Sequence, residues 1–281
     1  MYPDVLQVGF LHVRSYGLML AIAFLAGTWL GLKEARRLGL DPDRLVTVIL
    51  VTLVASVLGA RALYVLEHVE EFRRQWGNVL AVWQGGLTLY GGVVAGTAAG
   101  LIAARRLGMP IWTVADALAP SVALGTMFGR VGCFLNGCCY GRPTHLPWGV
   151  VYPPDSFPGL EFGDQPLHPS QLYNAAFGLA LFALLWRIRE RVRVPGSLFW
   201  GFLIVFSAGR VLIDFTRAYE SNAQIFMAGG IGVTESQLES AALMLFGILM
   251  LLRIQRESAH VQPAVSAPRP PAPSPPATES P

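Results

Sequence analysis

The chain has 281 residues, of which 53% are hydrophobic and only 14% charged, and its mean hydropathy is +0.47. Ordinary soluble domains carry about 25% charged residues, so this composition excludes that class and favours a polytopic membrane protein. A net charge of +3, with the arginines dealt out between apolar segments, gives no basic face, and no nucleic-acid partner is expected.

The first residues carry Asp4 and no basic stretch, and no small-residue cleavage site follows the first apolar run, so no cleaved signal peptide is expected. Seven apolar segments are predicted: 16–32, 45–66, 87–104, 112–128, 172–186, 198–213 and 238–252. Several fall short of the roughly 20 residues of a straight span and need flanking residues to complete them, which leaves counts of six or eight open. Lys33, Arg36, Arg37 and Arg44 follow the first segment and Arg105 and Arg106 the third. Arg187, Arg189, Arg191 and Arg193 follow the fifth, and Arg253 and Arg256 the seventh. The positive-inside rule makes these alternate connections cytoplasmic, with the N-terminus outside and the C-terminus in the cytoplasm. The opposite connections hold Arg73 and Arg74 beside Glu67, Glu70 and Glu71, and a long outer loop over 129–171. The predicted fold class is therefore an all-α integral membrane protein of about seven transmembrane helices, occupying residues 1–258. The Pro-rich remainder, 259–281, has too few large apolar residues to bury a core and is expected to be a disordered cytoplasmic tail.

Chemistry is densest in GRVGCFLNGCCYGR, residues 129–142, which gathers two arginines, an asparagine, four glycines and all three cysteines. Permissive glycines beside guanidinium groups suit close approach of an anion. Arg61, Asp116, Arg130, Arg210 and Asp214 lie within or at the ends of apolar segments, where a charge costs about 2.5–3.5 kcal/mol and usually pairs or works. For Asp116 the two readings are evenly balanced. In GRVLIDFTR, Arg210, Asp214 and Arg217 share one face of a continuing helix, so the carboxylate can hold both guanidinium groups. The alternative is a surface ion-pair ladder of little worth. Arginine's planar fork suits phosphate, and the pair Arg130 and Arg210 suggests a phospholipid headgroup; snorkelling to the interface explains either residue alone better than both together. WQGGLTLYGG brings Tyr90 to the start of the third segment, HPSQLY places His168, Ser170 and Gln171 at the start of the fifth, and Tyr16 opens the first. For a single tyrosine the interfacial aromatic belt is the simpler reading. The cysteines, spaced C-x4-C-C, lack the paired C-x2-C or histidine partners of common zinc sites. Small packing residues or one disulfide are favoured for them, and neither a metal ligand set nor a cofactor is expected.

SYGLM, WQGGLTLYGG, VADALAP, GRVGCFLNGCCYGR, HPSQLY and GRVLIDFTR, in that order from about residue 16 to 252, resemble the motifs of the prolipoprotein diacylglyceryl transferases. The resemblance implies a seven-span enzyme of the bacterial inner membrane with its active site toward the periplasm. It implies transfer of the diacylglyceryl group of phosphatidylglycerol to the lipobox cysteine of a prolipoprotein signal peptide, with release of glycerol phosphate, among surrounding membrane lipids. Carried over by motif, Arg130 binds the lipid phosphate, Arg210 assists it, and Tyr16, Asn136, Gly141, Asp214 and Arg217 shape the site. Arg61, His168 and Gln171 join the substrate-binding set, and Tyr90 stands where many members have histidine. Where the signature commonly reads Asn-Phe-x-Asn-Gly-Glu, this chain has Cys133, Phe134, Leu135, Asn136, Gly137 and Cys138. Tyrosine, with a pKa near 10, is a weak base at neutral pH. Either no base is essential, or His168 serves, or the substrate differs. A paralogous lipid transferase with another donor or acceptor is the nearest alternative. A transporter would be expected to show two related halves with broken helices, and an intramembrane protease would have only Asp116 and Asp214 as candidate carboxylates.

Overall fold

In the computed structural model, residues 4–8, 11–73, 76–82, 85–219, 224–228 and 231–261 are described. A hairpin of β1 (Asp4–Val8) and β2 (Leu11–Arg14) runs straight into α1 (Ser15–Arg37), followed by α2 (Pro42–Glu67), α3 (Val69–Phe72) and α4 (Leu89–Arg106). Then come α5 (Ile111–Asn136), α6 (Phe157–Phe162), α7 (Ser170–Ile188) and α8 (Ser197–Asp214). A second hairpin, β3 (Gln224–Ala228) with β4 (Ile231–Thr234), feeds α9 (Glu235–Val261). All seven apolar segments are helical, and six of these helices are long and apolar enough to cross a membrane. The remaining one, α4, is not among the six: its 18 residues include four glycines and end in Arg105 and Arg106.

Those glycines explain where α4 sits. They place small residues along the face that meets α2, where Ser56 and Thr52 are equally small. A Cβ on Gly91 would lie 2.3 Å from the Gly59 carbonyl oxygen, so the two backbones touch where only glycine fits. In lipid, where apolar burial gives helices little reason to associate, such close backbone packing is a main source of adhesion. At the bundle's centre, α5 packs against α1, α7 and α8, and α8 packs against α9. Ala119, Ala123, Leu181, Leu185, Leu198 and Phe202 fill the space between α5, α7 and α8. Large apolar side chains such as Leu25, Val94 and Leu212 point outward, the surface a lipid solvent requires.

At the end of the bundle carrying the arginine-rich connections, buried charges have opposite charges or backbone amides beside them, although Arg189 Nε makes its contact as an ion pair and not as a hydrogen bond. Glu34, 1% exposed, is paired with Arg37 at 2.8 Å and with Arg189 at 3.0 Å. Asp116 settles as structural: its two carboxylate oxygens accept the Gly196 and Phe199 amides at 2.6 and 2.8 Å, capping the first turn of α8 from a neighbouring helix.

Two features differ from the sequence reading, the start of the connection after α5 and the surroundings of Arg61. The outer loop begins later than residue 129, because α5 continues through Asn136 before Gly137 ends it with φ 76°. Two short hairpins precede α1 and α9 within the all-α membrane fold that the sequence predicts. Both hairpins have the same layout, with a register shift one step from the open end. Arg61 is a structural pin: buried, it donates to the carbonyls of Asn78, Val79, Gly85 and Gly86 at 2.5 to 3.0 Å and lies against the Tyr64 and Phe72 rings. Its donors are spent on the α3–α4 connection, so the substrate contact expected of it gives way to loop anchoring. Arg74 and the proline-rich stretch beyond residue 261 lie outside the described residues.

Candidate active site

The opposite end of the bundle is built by the end of α5, the turn after it, the start of α7, the end of α8 and the starts of α1, α4 and α9. The turn is stitched to its neighbours by backbone. Gly141 donates to the His168 carbonyl at 3.0 Å and pairs with Arg217 in an antiparallel bridge, and Arg142 donates to the Thr216 carbonyl at 2.9 Å. A Cβ at Gly141 would come within 2.5 Å of the His168 carbonyl oxygen and of Ser170 Oγ, so the seam closes only around glycine. Gln171, with no exposed surface, donates from Nε2 to the Cys138 carbonyl at 2.8 Å and accepts from the Tyr152 hydroxyl at 3.3 Å. It therefore positions the turn rather than contacting substrate, a correction to the expectation from sequence. Asn136 is the last residue of α5, and the Cys138 thiol just after it donates to the Cys133 carbonyl at 3.7 Å.

Arg210 donates from Nη2 to Ser236 Oγ at 2.8 Å and has a long ion pair, 3.7 Å, with Asp214. Asp214 is 1% exposed and accepts from the Thr234 and Tyr219 hydroxyls at 2.6 and 2.5 Å. Burial and this hydrogen bond to Asp214 push the Tyr219 phenol above its ordinary range, so it stays a donor. The carboxylate does not hold both arginines. Helix α8 ends at Asp214, and Arg217 leaves its face to stack over the Tyr219 ring at 4.7 Å.

What remains is a set of guanidinium donors with unspent capacity. Arg210 Nη1 and Arg217 Nε are buried and without a hydrogen-bond partner among the described residues. Arg130, half-buried, makes no hydrogen bond or ion pair among the described residues. Both Arg130 and Arg217 lie within electrostatic reach of Arg210. A buried donor left unpaired costs about 1–3 kcal/mol, and like charges held together cost more, so this arrangement is complementary to an anion with several oxygens. Tyr16 faces the same place: α1 crosses α5 with its ring against Gly132, and Arg130 and all three cysteines are within electrostatic reach of its hydroxyl. Hydrogen bonds from the Cys133 and Cys138 thiols, with Arg217 and Arg130 behind them, pull the Cys139 thiol below its ordinary range.

Tyr90 stands at the rim, half-exposed, donating its hydroxyl to both oxygens of Glu239 at 2.6 and 2.8 Å, with Arg210 within electrostatic reach. Its proton is thus committed to a carboxylate on α9. The His168 ring turns to the Tyr173 hydroxyl, 3.2 Å away, and Trp148 donates to that same hydroxyl at 2.7 Å. Sequence reasoning missed Ser236 and Glu239, which sit in ESQLES at the entry to the last span. Two acids four residues apart at an apolar boundary, Glu235 and Glu239, were the available signal.

Comparison with known proteins agrees with this arrangement. A family model described as prolipoprotein diacylglyceryl transferase matches residues 3–253. A phosphatidylglycerol–prolipoprotein diacylglyceryl transferase of Synechococcus elongatus is 34% identical over 258 residues, covering 90% of this chain and 87% of the relative. Proteins of the same name from Nostoc sp. and Geobacter sulfurreducens are 33% and 34% identical, covering 93% and 90% of this chain and 93% and 95% of their own lengths. The chain is an integral membrane transferase and belongs to the prolipoprotein diacylglyceryl transferase family.

Proposed function

We propose that this protein transfers the diacylglyceryl group of phosphatidylglycerol to the lipobox cysteine thiol of a prolipoprotein signal peptide, forming a thioether and releasing glycerol phosphate. The observation that carries the reading is the group of underused arginine donors on Arg130, Arg210 and Arg217 at the end of the bundle opposite the arginine-rich connections. The reaction takes place at the outer face of the bacterial inner membrane, a placement supported by the arginine-rich connections at the other end.

The charge change in the reaction fits those donors. Phosphatidylglycerol enters as a phosphodiester with one negative charge. As the thiolate sulfur attacks the glyceryl carbon, the carbon–oxygen bond to phosphate breaks and its electron pair moves to the phosphate. The departing monoester carries about −1.5 to −2 at neutral pH. Guanidinium groups fixed before the reaction favour the more highly charged state, so they lower the barrier more than they tighten ground-state binding. Arg130 and Arg217 hold the phosphate oxygens. Arg210, aligned by Asp214 and Ser236, faces the charge that develops. Asp214 is itself locked by Thr234 and Tyr219, which keeps Arg210 from swinging away. The thiol's ordinary pKa, near 8.5, falls beside cations, and the Tyr90–Glu239 pair offers the released proton a route through the phenol oxygen to a carboxylate. Tyr16 and Asn136 flank the phosphate site, and Gly141 keeps the wall thin. The lipid enters sideways between helices.

The experiment is direct. Purified protein is mixed with phosphatidylglycerol and a lipobox peptide, and peptide mass and released glycerol phosphate are followed. Equal yields of diacylglyceryl-peptide and glycerol phosphate are expected; folded protein that produces neither would overturn the proposal.

A further inference from the structure

All three cysteines of the chain meet at the end of α5. Cys133 lies three residues after Arg130 on the last turns of the helix, and Cys138 and Cys139 lie in the turn that follows. Their Sγ atoms all fall within 4.8 Å of one another, with no disulfide among them. The turn is shaped to bring them back. Gly137 ends the helix, and Cys139 takes a φ of 63°, the one non-glycine residue with positive φ among the described residues. That conformation is uncommon for a residue with a Cβ and persists only where its surroundings impose it. The surroundings here include Gln171, which donates to the Cys138 carbonyl at 2.8 Å, and the Cys133 carbonyl, which accepts from the Cys138 amide at 3.1 Å and from its thiol at 3.7 Å.

The spacing C-x4-C-C gives no hint of this in sequence, because it matches no common ligand pattern. In three dimensions the sulfurs form a triangle. Metal–sulfur bonds of about 2.3 Å give sulfur–sulfur edges of about 3.8 Å in a tetrahedral site and about 4.0 Å in a trigonal one, so the thiols need to close by less than about 1 Å. A disulfide would use two and strand the third. The donor set also selects the ion. Hard cations want oxygen ligands, whereas thiolates select soft d10 ions. Three thiolates around a divalent ion leave one net negative charge, which the Arg130 and Arg217 guanidinium groups are placed to balance.

We infer that Cys133, Cys138 and Cys139 form a binding site for one thiophilic d10 cation of the zinc class, held by three thiolates with its fourth position left to water or an incoming thiolate. The inference goes beyond the transferase reading and does not depend on it, since the proposed transfer uses no enzyme sulfur.

The test uses the full-length protein in detergent, reduced anaerobically and stripped with chelator, with its thiols counted after denaturation. Cd2+ is then titrated while the ultraviolet thiolate-to-cadmium charge-transfer absorbance is recorded. The expected result is three countable thiols, a band that saturates at one ion per chain, its loss when Zn2+ competes, and its absence in the triple Cys→Ser variant. Three countable thiols with no band, a band that rises without saturating, or a band unchanged in the triple variant would each overturn the site. So would a disulfide that survives reduction. Because the wild-type titration decides the matter alone, poor folding of the variant would not protect the inference.

Discussion

The two ends of the bundle treat buried charge in opposite ways. At the end with the arginine-rich connections, Glu34 is paired with Arg37 and Arg189, and Asp116 caps α8 with both oxygens. At the other end, Arg210 and Arg217 keep buried donors without hydrogen-bond partners among the described residues and Arg130 makes no hydrogen bond or ion pair among them, whereas Arg189 Nε, also without a hydrogen bond, still lies 3.0 Å from the Glu34 carboxylate. Both ends bear the same cost of placing charge in an apolar bundle. One recovers it from the protein itself, and the other leaves the recovery to a ligand. On the proposed function, the contrast would separate structural charge from functional charge.

It can be broken by mutation. Arg210→Ala should lower kcat/KM by about 10²–10³-fold, the loss of one preorganised donor to a developing oxyanion, with little change in thermal unfolding temperature. Arg130→Ala should behave alike. If either variant lost stability in proportion to activity, the charges at that end would be structural and the contrast would fail. Glu34→Ala is the mirror case. Arg37 loses its carboxylate while Arg189 keeps Glu190 at 3.1 Å, so the change should cost about 1–3 kcal/mol of stability while turnover per folded molecule holds. Denaturant or thermal unfolding beside a specific-activity measurement reads both.

Smaller effects sharpen the comparison. Tyr90→Phe removes the hydroxyl that Glu239 accepts, and a fall in kcat of about 10²-fold is expected if the pair moves the thiol proton. Full activity in Tyr90→Phe would remove Tyr90 from the chemistry, and rescue of that variant's loss by Tyr90→His would assign this position the base role. Asp116→Ala should cost about 1 kcal/mol, the worth of one helix cap, with activity intact, as a shift in unfolding temperature would show.

Much of this was legible in the chain. Apolar runs bounded by arginines located the helices, because the bilayer demands length and composition that sequence displays openly. Arg130, Arg210 and Asp214 stood out for the same reason: charge in such a run is conspicuous. What escaped detection depended on where helices stop. Arg217 was placed on the face of Arg210 and Asp214 by assuming that α8 continues, and one missing turn sends it to Tyr219 instead. Glu239 pairs with Tyr90 across 149 residues of sequence, a contact that no local pattern encodes. Arg61 was read as functional because it is a buried charge, and only the loop carbonyls around it reveal that it is a pin. The cysteines looked inert because ligand motifs are linear, whereas this cluster is made by a turn.

The central claim is that the orphaned guanidinium donors await a lipid phosphate. The most direct measurement compares the unfolding temperature of the purified protein with added phosphatidylglycerol and with diacylglycerol of the same chains. A ligand that binds only the folded state stabilises it by about 2.7 kcal/mol at a hundredfold excess over Kd. Phosphatidylglycerol should raise the unfolding temperature of the wild type, diacylglycerol should not, and the difference should vanish in the Arg130→Ala, Arg210→Ala double variant. Equal stabilisation by both lipids, or a phosphate-dependent shift that survives in the double variant, would contradict the account.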